Sequence, residues 1–217
     1  PIKSSAASDV YKRQDISRST QFLSALLMMA PVLGEDFTIH IMSEKKDGSY
    51  IRITKKMMEQ FGVECTFDGD SYHIKKGQNY QREIYEIEPD VSAACYFYAM
   101  AAINGGVAKA AHVHFDSSQG DVKFLRVLEK MGCTVTDEPD GICLRGPEDG
   151  ILHGVDVVMS DFSDQTMTLA ATAVFAKGDT TIHGVAHIRR QESNRMQAIV
   201  NELTRSVSYT HLTLPTT

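Results

Sequence analysis

Runs of small and apolar residues recur along the chain at a nearly fixed interval. Asp15-Ile16-Ser17, Asp90-Val91-Ser92 and Asp161-Phe162-Ser163 each open an Ala/Leu/Met-rich run, the openings lying 75 and 71 residues apart. The runs close near Gly34, Gly105 and Gly178, and β-branched stretches follow. A second landmark keeps phase: Phe61-Gly62-Val63 and Met131-Gly132-Cys133 lie 70 residues apart. A periodicity of this length marks a repeat architecture in which each copy is one supersecondary unit. The third copy lacks its second landmark, so the last unit reads as unfinished.

The order predicted within a unit is helix, strand, strand, helix, strand, strand. In the first copy Ser17 is a suitable cap for a helix through Gln21–Met29, and its almost wholly apolar or small composition predicts burial on most sides. Phe37–Ile41 alternates with period two, as a half-buried strand does, and Tyr50–Ile53 reads as a further extended piece. Met57, Met58 and Phe61 mark a second helix, with Gly62 as its left-handed stop. Residues 63–67 and 71–75 bracket Asp68-Gly69-Asp70 as a hairpin. The second copy repeats the plan: a helix over Ala93–Ile103, a strand at Val113-His114-Phe115, an amphipathic helix with Phe124, Leu125, Leu128 and Met131, and a hairpin through Cys133–Leu144. In the third, a helix runs through Ala176, Thr180–His183 is extended, and a last helix carries Met196, Ile199, Val200 and Leu203.

Glu86-Ile87-Glu88-Pro89-Asp90 combines charge, a proline and a fresh helix start, the signature of a seam between domains, although a short acidic linker within one domain has the same look. Pro1 to Gln14 is polar and carries no recognisable element, and Ser206 to Thr217 stands where a hairpin is due. Both ends are expected to be foreign to the repeat, of the kind that sequencing-adaptor read-through produces, the other reading being disordered tails.

Composition narrows the class further. A 217-residue chain with 42% hydrophobic and 23% charged residues can bury a substantial core. Its net charge of −6 argues against bulk nucleic-acid affinity but leaves room for a small anion held by a few converging Arg or Lys side chains. No apolar run reaches the ~20 residues that span a bilayer, and the start lacks the layout of a signal peptide. Cys65, Cys95, Cys133 and Cys143 form no CxxC and fit no zinc spacing, so buried free thiols in a reducing cytoplasm are expected.

Three segments hold more polar chemistry than capping requires. Ser17-Arg18-Ser19-Thr20-Gln21 sets hydroxyls at a helix N-terminus, which suits a phosphate or carboxylate as well as it suits a plain cap. In Ser160–Thr166, Asp161 occupies the capping position, whereas Asp164 has no counterpart in the other copies and is a candidate base. In Ile188–Arg195, Glu192 and Arg195 are three apart and share a face if helical, as an exposed ion pair or as a proton donor beside an anion clamp. His112/His114 and His183/His187 have metal-compatible spacing, but no Asp, Glu or Cys completes a set, so neither metal nor cofactor is expected. Ser117-Ser118-Gln119-Gly120-Asp121 is read as a turn into the following helix.

Asp15-x-Ser17-x-Ser19–Met28, Gln119-Gly120-Asp121 with Leu128–Gly132, Asp164-x-x-Met167-Thr168 with Ala176-Lys177-Gly178, and Glu192-Ser193-Asn194-Arg195 together resemble the 3-phosphoshikimate 1-carboxyvinyltransferase family, in the right order from about Asp15 to Arg205. The resemblance implies an α/β fold of repeated βαβαββ units, the enolpyruvyl transferase fold or inside-out α/β barrel, here incomplete. It implies that 15–88 is the last repeat of a shikimate-phosphate-binding domain and 89–205 nearly two repeats of the other domain. The activity implied is transfer of the enolpyruvyl group of phosphoenolpyruvate to the 5-hydroxyl of shikimate 3-phosphate. By the same resemblance Ser19, Thr20 and Gln21 hold shikimate 3-phosphate, with Asp164, His187 and Gln191 contributing. Gln21 and Arg195 hold phosphoenolpyruvate, Asp164 serves the 5-hydroxyl, and Glu192 protonates the methylene carbon. The implied enzyme is a cytoplasmic monomer without nucleic-acid or membrane partners.

The chain departs from the family pattern at His187 and Gln191, where asparagine and lysine are common, and it lacks the family's early Lys-Ser…Arg segment and late anion ligands. The 217-residue chain alone is therefore expected to be inactive or nearly so. Two other readings stay open: a UDP-N-acetylglucosamine enolpyruvyl transferase, and a non-catalytic anion-binding repeat module.

Overall fold

The computed structural model describes residues 10–17 and 19–206, in two units that divide between Glu86 and Ile87. Residues 1–9, Arg18 and the 207–217 stretch read above as a foreign end lie outside the described residues.

In the first unit the elements are β1 (Val10–Gln14), α1 (Gln21–Met29), β2 (Phe37–Ile41), α2 (Ser49–Gln60), β3 (Thr66–Phe67) and β4 (Ser71–Ile74). Their sheet has the order β1-β2-β4-β3, with β1 parallel to β2 and the other pairings antiparallel. Alternation along β2 buries Phe37, Ile39 and Ile41 against Leu23, Leu27, Ile51 and Met58 from the two helices. Turn chemistry closes the β3–β4 hairpin: Asp68 Oδ1 accepts from the N–H groups of Asp70 (3.0 Å) and Ser71 (2.8 Å). His73, with those two N–H groups, holds the Asp68 carboxyl well below the usual carboxylate range.

The second unit repeats this order. It continues with α3 (Val91–Asn104), β5 (Val107–Ala111), a 3₁₀ turn (Gly120–Lys123), α4 (Phe124–Lys130), β6 (Thr134–Glu138) and β7 (Gly141–Arg145). The sheet order β5-β7-β6 reproduces β2-β4-β3, so the sequence period is visible as topology. Tyr98 joins helix to sheet, its hydroxyl donating to the Ile142 carbonyl at 2.8 Å and accepting from the Ala110 N–H at 3.3 Å. Two short parallel pairs frame the next helix: β8 (Leu152–His153) with β10 (Ala176–Lys177), and β9 (Asp156–Val158) with β11 (Thr181–His183), around α5 (Thr166–Ala173). The helix α6 (Arg195–Arg205) follows.

Helices α2 and α4 end in the same way. Gly62 and Gly132 adopt left-handed φ values of 86° and 111°. Their N–H groups bond to the Glu59 and Glu129 carbonyls, while those of Val63 and Cys133 bond to the Met58 and Leu128 carbonyls. This is the doubly bonded Schellman stop, completed by buried apolar contacts at Val63 and Met58 in one copy and Cys133 and Leu128 in the other.

Several expectations are corrected. Residues 10–14, thought to carry no element, form β1, whose place is set by a parallel partner 27 residues on rather than by local alternation. Tyr50–Ile53 belongs to α2, because Ile51 and Met58, seven apart, bury one helical face. Val113-His114-Phe115 is loop; the strand is the preceding Val107–Ala111, whose alanine-rich sequence has weak β propensity and is held by pairing to β7. Helix α5 stops at Ala173, and Ala176 is already in β10. Ser17 does not cap α1: its N–H bonds to Asp15 Oδ1, and the helix starts at Gln21 with Thr20 as N-cap. Within its unit α1 buries only Leu23, Ser24 and Leu27, while Phe22, Met28 and Met29 are exposed.

Two outcomes follow. Replacing Gly132 with Ala forces a side chain into a left-handed conformation and towards the Ile151 carbonyl, 3.4 Å from the new Cβ, and should lower stability by about 1–2 kcal/mol in urea unfolding. All four cysteines are buried free thiols, and burial pushes Cys65 and Cys133 up to about 11. At pH 8 about 0.1% of such a thiol is thiolate. Titration with a disulfide reagent should therefore find the native chain unreactive, and all four thiols should react once urea unfolds it.

Candidate functional site

One polar group in the first unit belongs to the N-terminus of α1. Ser19 and Thr20 are half-buried and Gln21 is exposed. Thr20 stands at the N-cap with helical backbone angles and makes no side-chain cap bond. Ser19 Oγ accepts instead from the Gln21 N–H at 3.2 Å. The helix has no acidic residue in its first turn. Hydroxyls, an amide and the positive end of the helix dipole therefore face outward together, an arrangement that favours an anion.

In the second unit, Asp164 lies in the 3₁₀ turn Ser163–Gln165 that leads into α5, and Arg195 is the first residue of α6. Arg195 Nη1 donates to Asp164 Oδ1 at 2.5 Å, with side-chain exposures of only 18% and 31%. A charge-assisted pair shielded to this degree is stronger than a fully exposed one. Glu192 is 91% exposed, its carboxylate 3.8 Å from Arg195 Nη2. It does not share a helical face with Arg195, since α6 begins only at Arg195, with Asn194 as N-cap accepting from the Gln197 N–H at 3.1 Å. The carboxylate thus rides on a turn, held near the guanidinium by chain proximity. His187 Nε2 meets Ser163 Oγ at 2.8 Å, which brings the 3₁₀ segment Ala186–Arg190 to the Asp164 turn. Gln191 is exposed at the end of that segment. Within this unit the fold therefore brings Asp164, His187, Glu192 and Arg195 to one neighbourhood.

Asp161 forms an ion pair with Lys123 at 2.9 Å, and α5 is entered through the 3₁₀ turn with no side-chain cap bond at Gln165. This pair links the third copy to the preceding repeat, and Asp90 caps α3 as expected, accepting from the Ala93 N–H at 2.9 Å. Of the histidines with metal-compatible spacing, His114 pairs with Asp137 at 2.6 Å and His183 with Asp156 at 3.0 Å, and His187 meets Ser163 as above. Among the described residues no three of His, Cys, Asp and Glu converge on a metal-sized site, and no helix is long and apolar enough to cross a membrane. Sequence reasoning left Asp121 as a turn residue, yet it is buried beside the Asp164 turn and bonded to Gln165. Its position in Gln119-Gly120-Asp121 was the only local signal.

Comparison with known proteins places the chain in a family. The family model of EPSP synthase (3-phosphoshikimate 1-carboxyvinyltransferase) matches residues 6–207. The 3-phosphoshikimate 1-carboxyvinyltransferase of Trichormus variabilis is 44% identical over 194 residues, covering 89% of this chain and 45% of that protein. That of Salmonella heidelberg is 44% identical over 192 residues, covering 87% and 44%. An EPSP synthase structure from Acinetobacter baumannii superposes with a TM-score of 0.68 at 20% identity, over 88% of this chain and 44% of that one. The enolpyruvyl transferase NikO from Streptomyces tendae superposes with a TM-score of 0.57 at 16% identity, over 79% and 43%. The two structures share the α/β fold, and the chain spans less than half the length of the curated relatives it matches. With nearly its whole length matched by the family model, the chain belongs to the EPSP synthase (3-phosphoshikimate 1-carboxyvinyltransferase) family.

Proposed function

We propose that this chain supplies part of an enzyme that transfers the enolpyruvyl group of phosphoenolpyruvate to the 5-hydroxyl of shikimate 3-phosphate in the cytoplasm, acting as a monomer. The observation that carries the reading is the shielded Asp164–Arg195 pair with Glu192 beside it. This reaction needs an acid, a base and an anion clamp, and those three side-chain types meet there. Glu192 gives its proton to the methylene carbon of phosphoenolpyruvate, leaving positive charge on the adjacent carbon. The 5-hydroxyl oxygen bonds to that carbon as its proton passes to Asp164. Breaking the carbon–oxygen bond to phosphate, as a methyl proton returns to Glu192 and the Asp164 proton passes to the departing phosphate, restores the enol ether and releases phosphate. Arg195 offsets the carboxylate and phosphate charge of phosphoenolpyruvate, and its contact with Asp164 keeps both groups oriented before substrate arrives.

Ser19, Thr20 and Gln21 hold shikimate 3-phosphate through the hydroxyls and the side-chain amide at the start of α1, Gln21 reaching phosphoenolpyruvate as well. His187 and Gln191 add donors to the shikimate phosphate. In this reading 15–88 is the last repeat of the shikimate-phosphate-binding domain, and 89–205 is nearly two repeats of the second domain.

Isothermal titration of the 217-residue chain with shikimate 3-phosphate, with and without phosphoenolpyruvate, tests the binding half. Saturable binding is expected, weakened roughly tenfold by Thr20→Val. Binding of UDP-N-acetylglucosamine in its place, or of neither ligand, would defeat the assignment. Turnover by the chain alone should be negligible. The catalytic half is tested in a chimera in which residues 15–205 replace the equivalent stretch of the Salmonella heidelberg relative. Activity is expected there, and Glu192→Gln should lower kcat by about 10²–10⁴ while the affinity for shikimate 3-phosphate stays within a few fold. A Glu192→Gln chimera as fast as its parent would remove Glu192 from the mechanism.

A further inference from the structure

Among the described residues Asp121 is a buried carboxylate for which the proposed chemistry has no use. It is 8% exposed, and its carboxylate accepts from two side chains that belong to different repeats. One is Ser92 Oγ, in the first turn of α3; the other is Gln165 Nε2, at 2.8 Å. Gln165 is 1% exposed and immediately follows Asp164, and its Oε1 accepts from Thr168 Oγ1 at 2.9 Å. Its side-chain amide is thereby clamped from both ends. A second observation comes from the backbone. A Cβ at Gly120 would lie 2.6 Å from the Asp161 carbonyl oxygen, so the 120–123 turn approaches the backbone just before the 163–165 turn more closely than any side chain at 120 permits. Gln119 anchors the other side: its Oε1 accepts from the Val91 N–H at 3.0 Å and its Nε2 donates to the Pro89 carbonyl at 2.7 Å.

Core packing gives no reason for a carboxylate here. Burial raises the Asp121 pKa above the ordinary value, opposed by the Ser92 and Gln165 hydrogen bonds, with Asp164 and Asp90 adding like charge. A buried charge costs several kcal/mol unless its partners compensate, and a well-packed apolar residue would serve stability at least as well. What the carboxylate does provide is a directional link from the start of α3 to the turn that carries Asp164.

We propose that Asp121 is a positioning residue which, through Gln165, holds the Ser163–Gln165 turn so that the Asp164 carboxylate meets the Arg195 guanidinium. Its relevance to catalysis rests on the reading of Asp164 as the base; the positioning itself does not.

The test therefore reads the pair rather than turnover. In the 217-residue chain labelled with ¹⁵N-arginine, the Arg195 guanidinium protons, assigned by their loss in Arg195→Lys, should exchange slowly with water. Asp121→Ala and Gln165→Met should each speed that exchange by roughly tenfold or more, the size expected from losing a hydrogen bond to a charged group. Asp121→Asn, which keeps an oxygen acceptor for both donors, should restore slow exchange. Leu169→Ala, a fully buried change outside the link, should lower the melting temperature and leave the exchange as in the parent. Unchanged exchange in Asp121→Ala, or in Gln165→Met should Asp121→Ala fail to fold, would overturn the proposal, as would equal acceleration in Leu169→Ala. These outcomes are distinct from a failure to bind shikimate 3-phosphate, which bears on the function alone.

Discussion

Helices α2 and α4 must each stop at a fixed point and release the chain into a hairpin, and the left-handed glycine stop makes this happen in both units. At Gly62 and at Gly132 the last two orphan carbonyls that can be reached are taken by successive N–H groups, and the residue after the glycine drops into the core. The strand register follows from that exit. In the second unit it places β6 beside β7 and sets Ile142 and Leu144 against α3 and α4. A slip of one residue there would turn those side chains away from the core.

Repetition of one scaffold leaves functional groups where the copies differ. Asp90 caps α3 in the ordinary way, but the equivalent Asp161 pairs with Lys123, and the helix entrance becomes a 3₁₀ turn. That turn offers Asp164 a place that no other copy has, half-shielded and facing the first residue of α6. The same relation shows at α1, where Thr20 holds the N-cap position without spending its hydroxyl on the cap. At α1 a position that could have been given wholly to helix stability carries hydroxyls, and at the entrance to α5 the corresponding stretch carries a carboxylate bound to Arg195.

The exposed apolar faces of the helices belong to the same picture. Phe22, Met28 and Met29 on α1, and Tyr96, Phe97 and Met100 on α3, are solvent-facing within their own units. Judged by composition alone, α1 reads as buried on most sides; the unit by itself covers one face.

The repeat, the glycine stops, the β2 alternation and the hairpin at Asp68-Gly69-Asp70 were all legible in the chain, because each depends on residues close in sequence whose spacing matches a structural period. The motif residues Asp164, Glu192 and Arg195 were legible as a set by resemblance. Tertiary structure alone decided the rest. The strand Val10–Gln14 exists through pairing with β2, and the alanine-rich Val107–Ala111 through pairing with β7. Tyr50–Ile53 became helix because burial of Ile51 with Met58 outweighed a β-like local pattern. Glu192 fell outside the helix, and Asp121 turned from a loop residue into the buried tie between repeats. Local spacing encodes a helix stop or a turn within a few residues, whereas a hydrogen bond across 44 residues is chosen only when the folded core brings its partners together and excludes water.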